Sequence, residues 1–374
     1  MSALFKNFEE QSKKDWLIKV EKDLKGKPLQ SLDWQLSNHF NFSPFAHQED
    51  LDGKPSLISN NKTTNSWEIG TLITVVDFKL SNGQAISYLN NGANAICFQL
   101  SHTPKKEELS QLLADIQLEW ISTHFIVQQE SWKMLTERFV EIIKEKGQDP
   151  SKVICSFDVI GSPVSEEKEI GHLKSIQLDL PKGRFLSINT LDLFSDKEKM
   201  DQAIAKTIKQ GNDILIKLSE EEFDLAKYSK SIQFNISLTD SYFLNIASIR
   251  ALRMLWQQCV HAWNSDLSAD APIIVHLNES THVEDENYNK IKAGAQAMAA
   301  VIGGADCLYI YPSDSNKKEG GTAFSQRIAL NIQHLLVLES YFDRVIDPSA
   351  GSYYIEELTN QLAESAWKQF QDSI

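Results

Sequence analysis

What the sequence has little of already narrows its class. Its 374 residues include only four cysteines, Cys97, Cys155, Cys259 and Cys307, and none forms a Cys-x-x-Cys pair. Each sits among apolar neighbours. This excludes a disulfide framework and a metal site built from closely spaced ligands; buried, reduced thiols of a cytoplasmic protein are expected, with no bound metal. No apolar run reaches the roughly 18 residues of a membrane span, and the N-terminus lacks a signal-peptide core. Positive charge is in deficit, with 37 Lys and Arg against 51 Asp and Glu, a net charge of −14. Such a surface repels nucleic acid and anionic membranes, so neither is an expected partner. Missing too are a Gly-x-x-x-x-Gly-Lys-Ser/Thr phosphate loop, a His-Glu-x-x-His helix and a Gly-x-Ser-x-Gly elbow.

What is present is ordinary globular material, 42% hydrophobic and 24% charged. Residues 1–50 read as an arm. Ser12 and Asp15 make a helix-opening box, Trp16, Val20 and Leu24 recur at helical spacing, and Gly26 stops the helix. From Pro28 to Asp50 the apolar residues Leu29, Leu32, Trp34, Leu36, Phe40, Phe42 and Phe45 follow no period. That segment must lie on another surface, its own barrel or a partner.

From Trp67 onward, strand and helix alternate. Strands are expected at Trp67–Val76, Ala95–Leu100, Leu118–Val127, Val153–Asp158, Arg184–Thr190, Ile232–Leu238, Ile273–Asn278 and Cys307–Tyr311. Helical patterns cover Ser131–Lys146, Asp201–Gln210 with a possible continuation, Tyr242–Ala262, Asn287–Ile302 and Thr322–Tyr341. Eight such units without a domain-sized break predict a (β/α)8 TIM barrel over 51–374. A doubly wound sheet, the alternative, usually announces itself with a Gly-rich first turn, which is absent. Ser162–Lys174 and Ser313–Gly321 read as polar loops. In the second, Gly320-Gly321 beside Lys317-Lys318 has the makings of an anion cradle before a helix. Three polar residues fall at or past strand ends, where barrels place chemistry: Asp158, Asp192 and His276. Together they could do acid–base work; strand-end polar residues also occur without any.

The closing stretch is the most distinctive. In Arg344-Val-Ile-Asp-Pro-Ser-Ala-Gly-Ser-Tyr-Tyr-Ile-Glu-Glu-Leu-Thr359, Pro348 pushes Asp347 out of the helical region and Gly351 permits a turn closed to other residues. Tyr353, Tyr354 and Ile355 then anchor the turn, and Thr359 is expected to cap a short helix over Asn360–Phe370.

This stretch, with Phe324-Ser-Gln-Arg-Ile-Ala-Leu-Asn-Ile-Gln333, Arg250-Ala-Leu-Arg-Met-Leu-Trp256 and Asp15-Trp-Leu-Ile-Lys-Val20, resembles the adenosylcobalamin-dependent methylmalonyl-CoA mutases over nearly the whole chain. The resemblance implies a (β/α)8 barrel whose axis is threaded by a CoA ester, and a separate domain for cobalamin. The departures matter as much. Where catalytic chains read Trp-x-Ile-Arg-Gln-Tyr, this one continues Gly70-Thr71-Leu72. Where they read Ser-Gly-Tyr-His, it has Asn189-Thr-Leu-Asp192. Their His-x-Gln-Thr-Ser becomes His276-Leu-Asn-Glu-Ser280, with Glu279 poorly suited to an anionic ester.

None of the nine histidines follows an Asp by two positions, so the cobalt-binding Asp-x-His-x-x-Gly does not occur in this sequence. The pattern resembles the family's small, non-catalytic subunit. It implies no catalytic, cofactor or metal residues on this chain, with Leu72, Asp192 and His276 as vestigial mouth positions. It also implies adenosylcobalamin on a large catalytic partner subunit, and a CoA ester bound weakly or not at all. Two rivals are a stand-alone CoA-ester isomerase or lyase using Asp158, Asp192 and His276, and a CoA-ester binding module.

Overall fold

Short runs of β-branched and aromatic residues, each closed by a polar or glycine-containing turn, fold as parallel strands. The computed structural model describes residues 11–374 apart from 36–40, 52–63, 129–130, 161–166 and 318–320. In the arm, β1 (Trp34–Gln35) and β2 (Asn41–Phe42) form a small antiparallel ladder. The remaining strands are β3 (Glu68–Val75), β4 (Ala95–Leu100), β5 (Ser122–Gln128), β6 (Ile154–Ile160), β7 (Gly183–Arg184), β8 (Leu186–Asn189), β9 (Ile232–Ser237), β10 (Ile273–Leu277) and β11 (Cys307–Ile310). They lie in the order β7-β6-β5-β4-β3-β11-β10-β9-β8.

β7 and β8 are two halves of one strand, broken at Phe185. The first half pairs with β6 and the second with β9, so the ring closes as an eight-stranded (β/α)8 barrel. Phe185 and Leu186 both join the outer apolar layer, as a bulge requires. Every expected strand is present, with ends shifted by a few residues.

The helices are α1 (Lys13–Asp23), α2 (Phe78–Asn90), α3 (Lys106–Leu112), α4 (Trp132–Glu145), α5 (Glu167–Asp179), α6 (Met200–Glu220), α7 (Leu225–Tyr228), α8 (Tyr242–Trp263), α9 (Glu286–Gly303), α10 (Ala323–Leu338) and α11 (Tyr353–Gln371). Between strands and helices lies the main core, with Phe125 stacked on Phe157 at 5.2 Å and Phe157 on Phe185 at 5.8 Å. Such pairs add about 0.5–1.5 kcal/mol each beyond their buried area.

Three sequence expectations need correction. Glu167–Lys174, read as loop, belongs to α5, while 162–166 lie outside the described residues. The last helix starts at Tyr353, not after Thr359. Its N-cap is Ser352, and Thr359 sits mid-helix, its hydroxyl donating to the Ile355 carbonyl at 2.7 Å. Glu356 explains the early start, because its carboxylate accepts from the Gly351 N–H at 3.0 Å and closes the first turn. Finally, Asp347 leaves the right-handed helical region as expected, but for φ +49°, in the left-handed region.

The arm behaves in two ways. Ser12 and Asp15 form the expected capping box. Phe42 is buried edge-on against Tyr354 of α11, ring centroids 4.8 Å apart, so this part lies on the chain's own barrel. Helix α1, by contrast, buries no residue, and Trp16 touches Phe45 of the arm itself. Leu36 and Phe40 lie outside the described residues.

A buried charge ties the closing stretch to the barrel. Arg250 in α8 is 1% exposed. Its guanidinium donates to Asp347 at 2.6 Å, to the Ser349 hydroxyl at 2.8 Å and to Glu356 at 3.0 Å. Removing one member of a buried pair leaves the other charge uncompensated, at about 3–5 kcal/mol. Arg250→Ala should therefore lose about that much in urea denaturation. A loss below about 1 kcal/mol would show that the network is not what holds the segment.

Candidate functional site

The period-two alternation of the strands sends every second side chain into the barrel axis. That axis is filled. Ala95, Cys97, Ile274, Cys307 and Tyr309 form an inner apolar cluster, and Leu72, Ile126 and Tyr311 pack against it. Tyr309 is 1% exposed and His276 2% exposed. Gly70 makes the filling possible: a Cβ built there would lie 2.6 Å from the Tyr309 ring. The remaining inward positions are polar. Asn189 donates to Asp158 at 2.8 Å, Asn235 donates to the Ser187 hydroxyl at 2.6 Å, and His276 Nε2 lies 3.3 Å from the Asn235 amide oxygen.

Burial dictates the charge of this network. It pushes the Asp158 carboxyl up to about 6, against hydrogen bonds from Asn189 and Ser187 that favour the anion. It also pushes His276 down to about 3, with the positive form further opposed by His124. Asp158 Oδ1 and His276 Nδ1 find no hydrogen-bond partner. The imidazole is thus neutral across the physiological range.

The candidate trio is only partly assembled. Ser187 and Asn235 connect Asp158 to His276. Asp192 is exposed on the loop after β8, and only its backbone carbonyl takes part, accepting from the Ser195 hydroxyl at 2.6 Å. The three do not converge on one reacting atom. Leu72 is half-buried and packs beside Cys97, its ladder partner.

Above the filled axis, a cavity of about 520 Å³ opens between β3, β11, α2 and α10. Thr71, Thr74, Gln84, Tyr88, Gln99 and Gln326 give it a neutral polar wall, and Glu279 is its one charged lining residue among those described. Neither Asp158 nor His276 lines it, and among the described residues no histidine, lysine or arginine does so. Sequence reasoning missed this wall because neutral Thr and Gln residues carry no motif.

The expected anion cradle before α10 is taken by the chain's own carboxylate. Asp314 accepts from the Gly321 N–H at 3.0 Å, the Thr322 N–H at 3.2 Å and the Thr322 hydroxyl at 2.7 Å. Lys318 and Gly320 lie outside the described residues. The four cysteines are free and buried, as expected, and none of the described helices is long and apolar enough to cross a membrane.

The residues of the distinctive motifs are therefore packing devices. Gln333 donates to the Gly70 carbonyl at 3.0 Å, Ser325 helps cap α10, and Arg253 donates to the Gly304 carbonyl at 2.8 Å and to Asp306 at 2.6 Å. Fold and site together define a TIM barrel that keeps its scaffold and has a sealed interior. Its family follows from comparison. The sequence model described as Methylmalonyl-CoA mutase matches residues 104–373. A methylmalonyl-CoA mutase small subunit from Porphyromonas gingivalis is 31% identical, over 98% of this chain and 63% of that protein. A small subunit from Propionibacterium freudenreichii subsp. shermanii is 24% identical, over 83% of this chain and 50% of that protein. A methylmalonyl-CoA mutase from Rhizobium meliloti is 30% identical, over 50% of this chain and 27% of that protein. This chain belongs to the methylmalonyl-CoA mutase family. The two small-subunit matches reach across 63% and 50% of those relatives' lengths.

The interior should be visible in the pH dependence of stability. The folded Asp158 holds a proton between about pH 4 and 6 that the unfolded chain has released, so its share of stability falls as pH rises through that window. His276 acts on the acid side: the unfolded imidazole takes a proton near pH 6.5 and the folded one does not, so stability falls as pH drops from there toward about 3. Between pH 4 and 7.5, Asp158→Asn should gain roughly 2–3 kcal/mol relative to the parent chain in denaturant melts. An unchanged difference across that range would mean Asp158 does not titrate as its burial requires.

Proposed function

We propose that this chain is the small, non-catalytic subunit of a heterodimeric, adenosylcobalamin-dependent methylmalonyl-CoA mutase. A large partner subunit carries the cobalamin and interconverts methylmalonyl-CoA and succinyl-CoA. The observation that carries this reading is the axis closed by Tyr309 beneath a mouth cavity whose described lining includes neither imidazole nor guanidinium. A CoA ester brings a phosphate-rich anion, and among the described residues the charge the cavity wall offers it is the Glu279 carboxylate. Any such ester binds weakly or not at all.

The residues present do not fit a corrinoid. Among the described residues no histidine lines the mouth cavity, and His276 points its free nitrogen into a packed interior. Homolysis of a carbon–cobalt bond belongs to the cofactor, so no catalytic step is assigned to this chain. Its contribution is a rigid surface for the partner in the cytoplasm. The arm supports that role, because α1 forms and yet buries nothing of its own. An obligate interface of more than about 2,000 Å² is expected.

Co-expression with a large mutase subunit should give a 1:1 complex by size-exclusion chromatography with light scattering. Isomerisation should require the large subunit, and calorimetry of this chain alone with methylmalonyl-CoA should show little heat. A chain that never co-elutes, or that isomerises the ester by itself, overturns the reading.

A further inference from the structure

We propose that Glu68, His124 and Cys307 form a binding site for a zinc-type divalent cation at the N-terminal end of the barrel, where the ion staples β3, β5 and β11 together. The three residues each offer a ligand atom, and these atoms lie within 4.8 Å of one another. They come from positions 68, 124 and 307, so no local spacing in the sequence reveals them. Barrel closure brings them together. Glu68 opens β3 and Cys307 opens β11, and the two are direct partners in the parallel ladder. His124 reaches them across β4, where its direct ladder partner is Cys97 and the small Ala95 lies two residues nearer the N-terminal end.

The ligand chemistry suits zinc. A thiolate, an imidazole and a carboxylate are its three common protein donors. Metal–ligand distances of about 2.0–2.3 Å bring ligand atoms within roughly 4 Å of each other, so the site needs an inward movement of under about 1 Å. The flexible Glu68 arm can supply it.

Two further observations point to a ligand. His124 is 3% exposed, and its Nε2 makes no hydrogen bond while facing Glu68 at 3.5 Å. Its Nδ1 lies 2.5 Å from the Ser156 hydroxyl. When Nδ1 carries the proton and donates to Ser156, Nε2 presents its lone pair to the other two residues. Metal-bound histidines are oriented in this way by a second hydrogen bond. Ser122 does the same for Glu68, donating to one carboxylate oxygen and leaving the other directed at His124.

Charge and access are also in place. Burial, reinforced by the Glu68 carboxylate, pushes the Cys307 thiol well up, and the Arg184 guanidinium offsets this only in part, so the thiolate forms with the metal bond rather than before it. Binding releases the Cys307 proton as the sulfur–metal bond forms. Two anionic ligands and one neutral imidazole balance a divalent ion, and water or the unpartnered Tyr309 hydroxyl completes four-coordination. The Glu68 side chain is 26% exposed and gives the ion an entrance. Conserving the barrel rather than reacting at its mouth is what a site at this end would do.

Cobalt(II) titration of the purified chain tests this, since a thiolate–cobalt bond gives a charge-transfer band in the near ultraviolet. One equivalent should produce that band, zinc should displace it, and zinc should raise the melting temperature. Cys307→Ser should abolish the band while Cys97→Ser keeps it. Should Cys307→Ser not fold, Glu68→Gln at the exposed end serves instead, with zinc affinity reduced roughly tenfold or more. No band in the parent chain at excess cobalt, a band that survives Cys307→Ser, or unchanged affinity in Glu68→Gln overturns the site.

Discussion

The guanidinium of Arg250 is the constraint on which the rest of the architecture leans. It is buried in α8 and faces two carboxylates and a hydroxyl, all from the closing stretch. A charge in that position is tolerable only when fully paired, so the segment from Asp347 to Glu356 has one acceptable course. The unusual backbone follows from it. Asp347 takes a positive φ, which is costly for a residue with a side chain, and its bond to Arg250 offsets the strain. Gly351 turns the chain at φ +81°, and α11 starts where Glu356 can reach both Arg250 and the Gly351 N–H. Helix α11 in turn packs on α8 and α6 and offers Tyr354 to the arm. One ion-pair cluster thus fixes the last helix, the seam it covers and the landing place of the arm's Phe42.

Much of this was legible in the sequence. The eight strands show as short β-branched runs between turns, because a strand inside a barrel is buried on both faces. Helix positions were clearest where a stripe was wide, as in α4, α6 and α8. Helices α2 and α3 went unremarked because their stripes are thin, with only Ser81 and Ala85 buried in α2. The start of α11 was misplaced because Thr359 resembles a cap in sequence. The deciding contact, Arg250 with Glu356, spans 106 positions and has no local trace. The same limit applies to the interior. Asp158 and His276 were singled out as strand-end polar residues, but their joining through Ser187 and Asn235 depends on barrel register. Asp192 looked equivalent to them, and one turn of loop removed it from the interior.

Membership of the methylmalonyl-CoA mutase family raises the question of what its shared motifs do in this barrel. Here the shared motifs map onto contacts that hold elements together, such as Gln333 on the Gly70 carbonyl and Arg253 on Asp306. Reactive positions are governed by different physics. A mouth residue held for catalysis must stay partly desolvated and unsatisfied until substrate arrives, which costs stability. Freed from that demand, an interior can be closed and its polar groups paired with each other. The neutral His276, with Nε2 beside the Asn235 amide and its ring against Tyr309, shows this in part, its Nδ1 staying without a partner.

Gly70 and Tyr309 show how closely those changes are bound together. The two residues face each other across neighbouring strands, paired in register. Any side chain at 70 would collide with the Tyr309 ring at 2.6 Å, and with the Leu308 carbonyl at 2.9 Å. The catalytic sequences this chain resembles carry arginine at that place. An arginine at 70 and a tyrosine ring lying across the axis at 309 therefore exclude each other in this geometry. A long side chain at 70 and the sealed axis compete for one space, and in this chain the Tyr309 ring fills it. Arginine introduced at 70 alone would break the packing of Tyr309 without opening an ordered channel, since Cys97, Ile274 and Cys307 belong to the same inner cluster. Several inner positions would have to change at once before a ligand could pass. That requirement makes the closed state hard to reverse and leaves the outer surface of the barrel as what the chain can offer a partner.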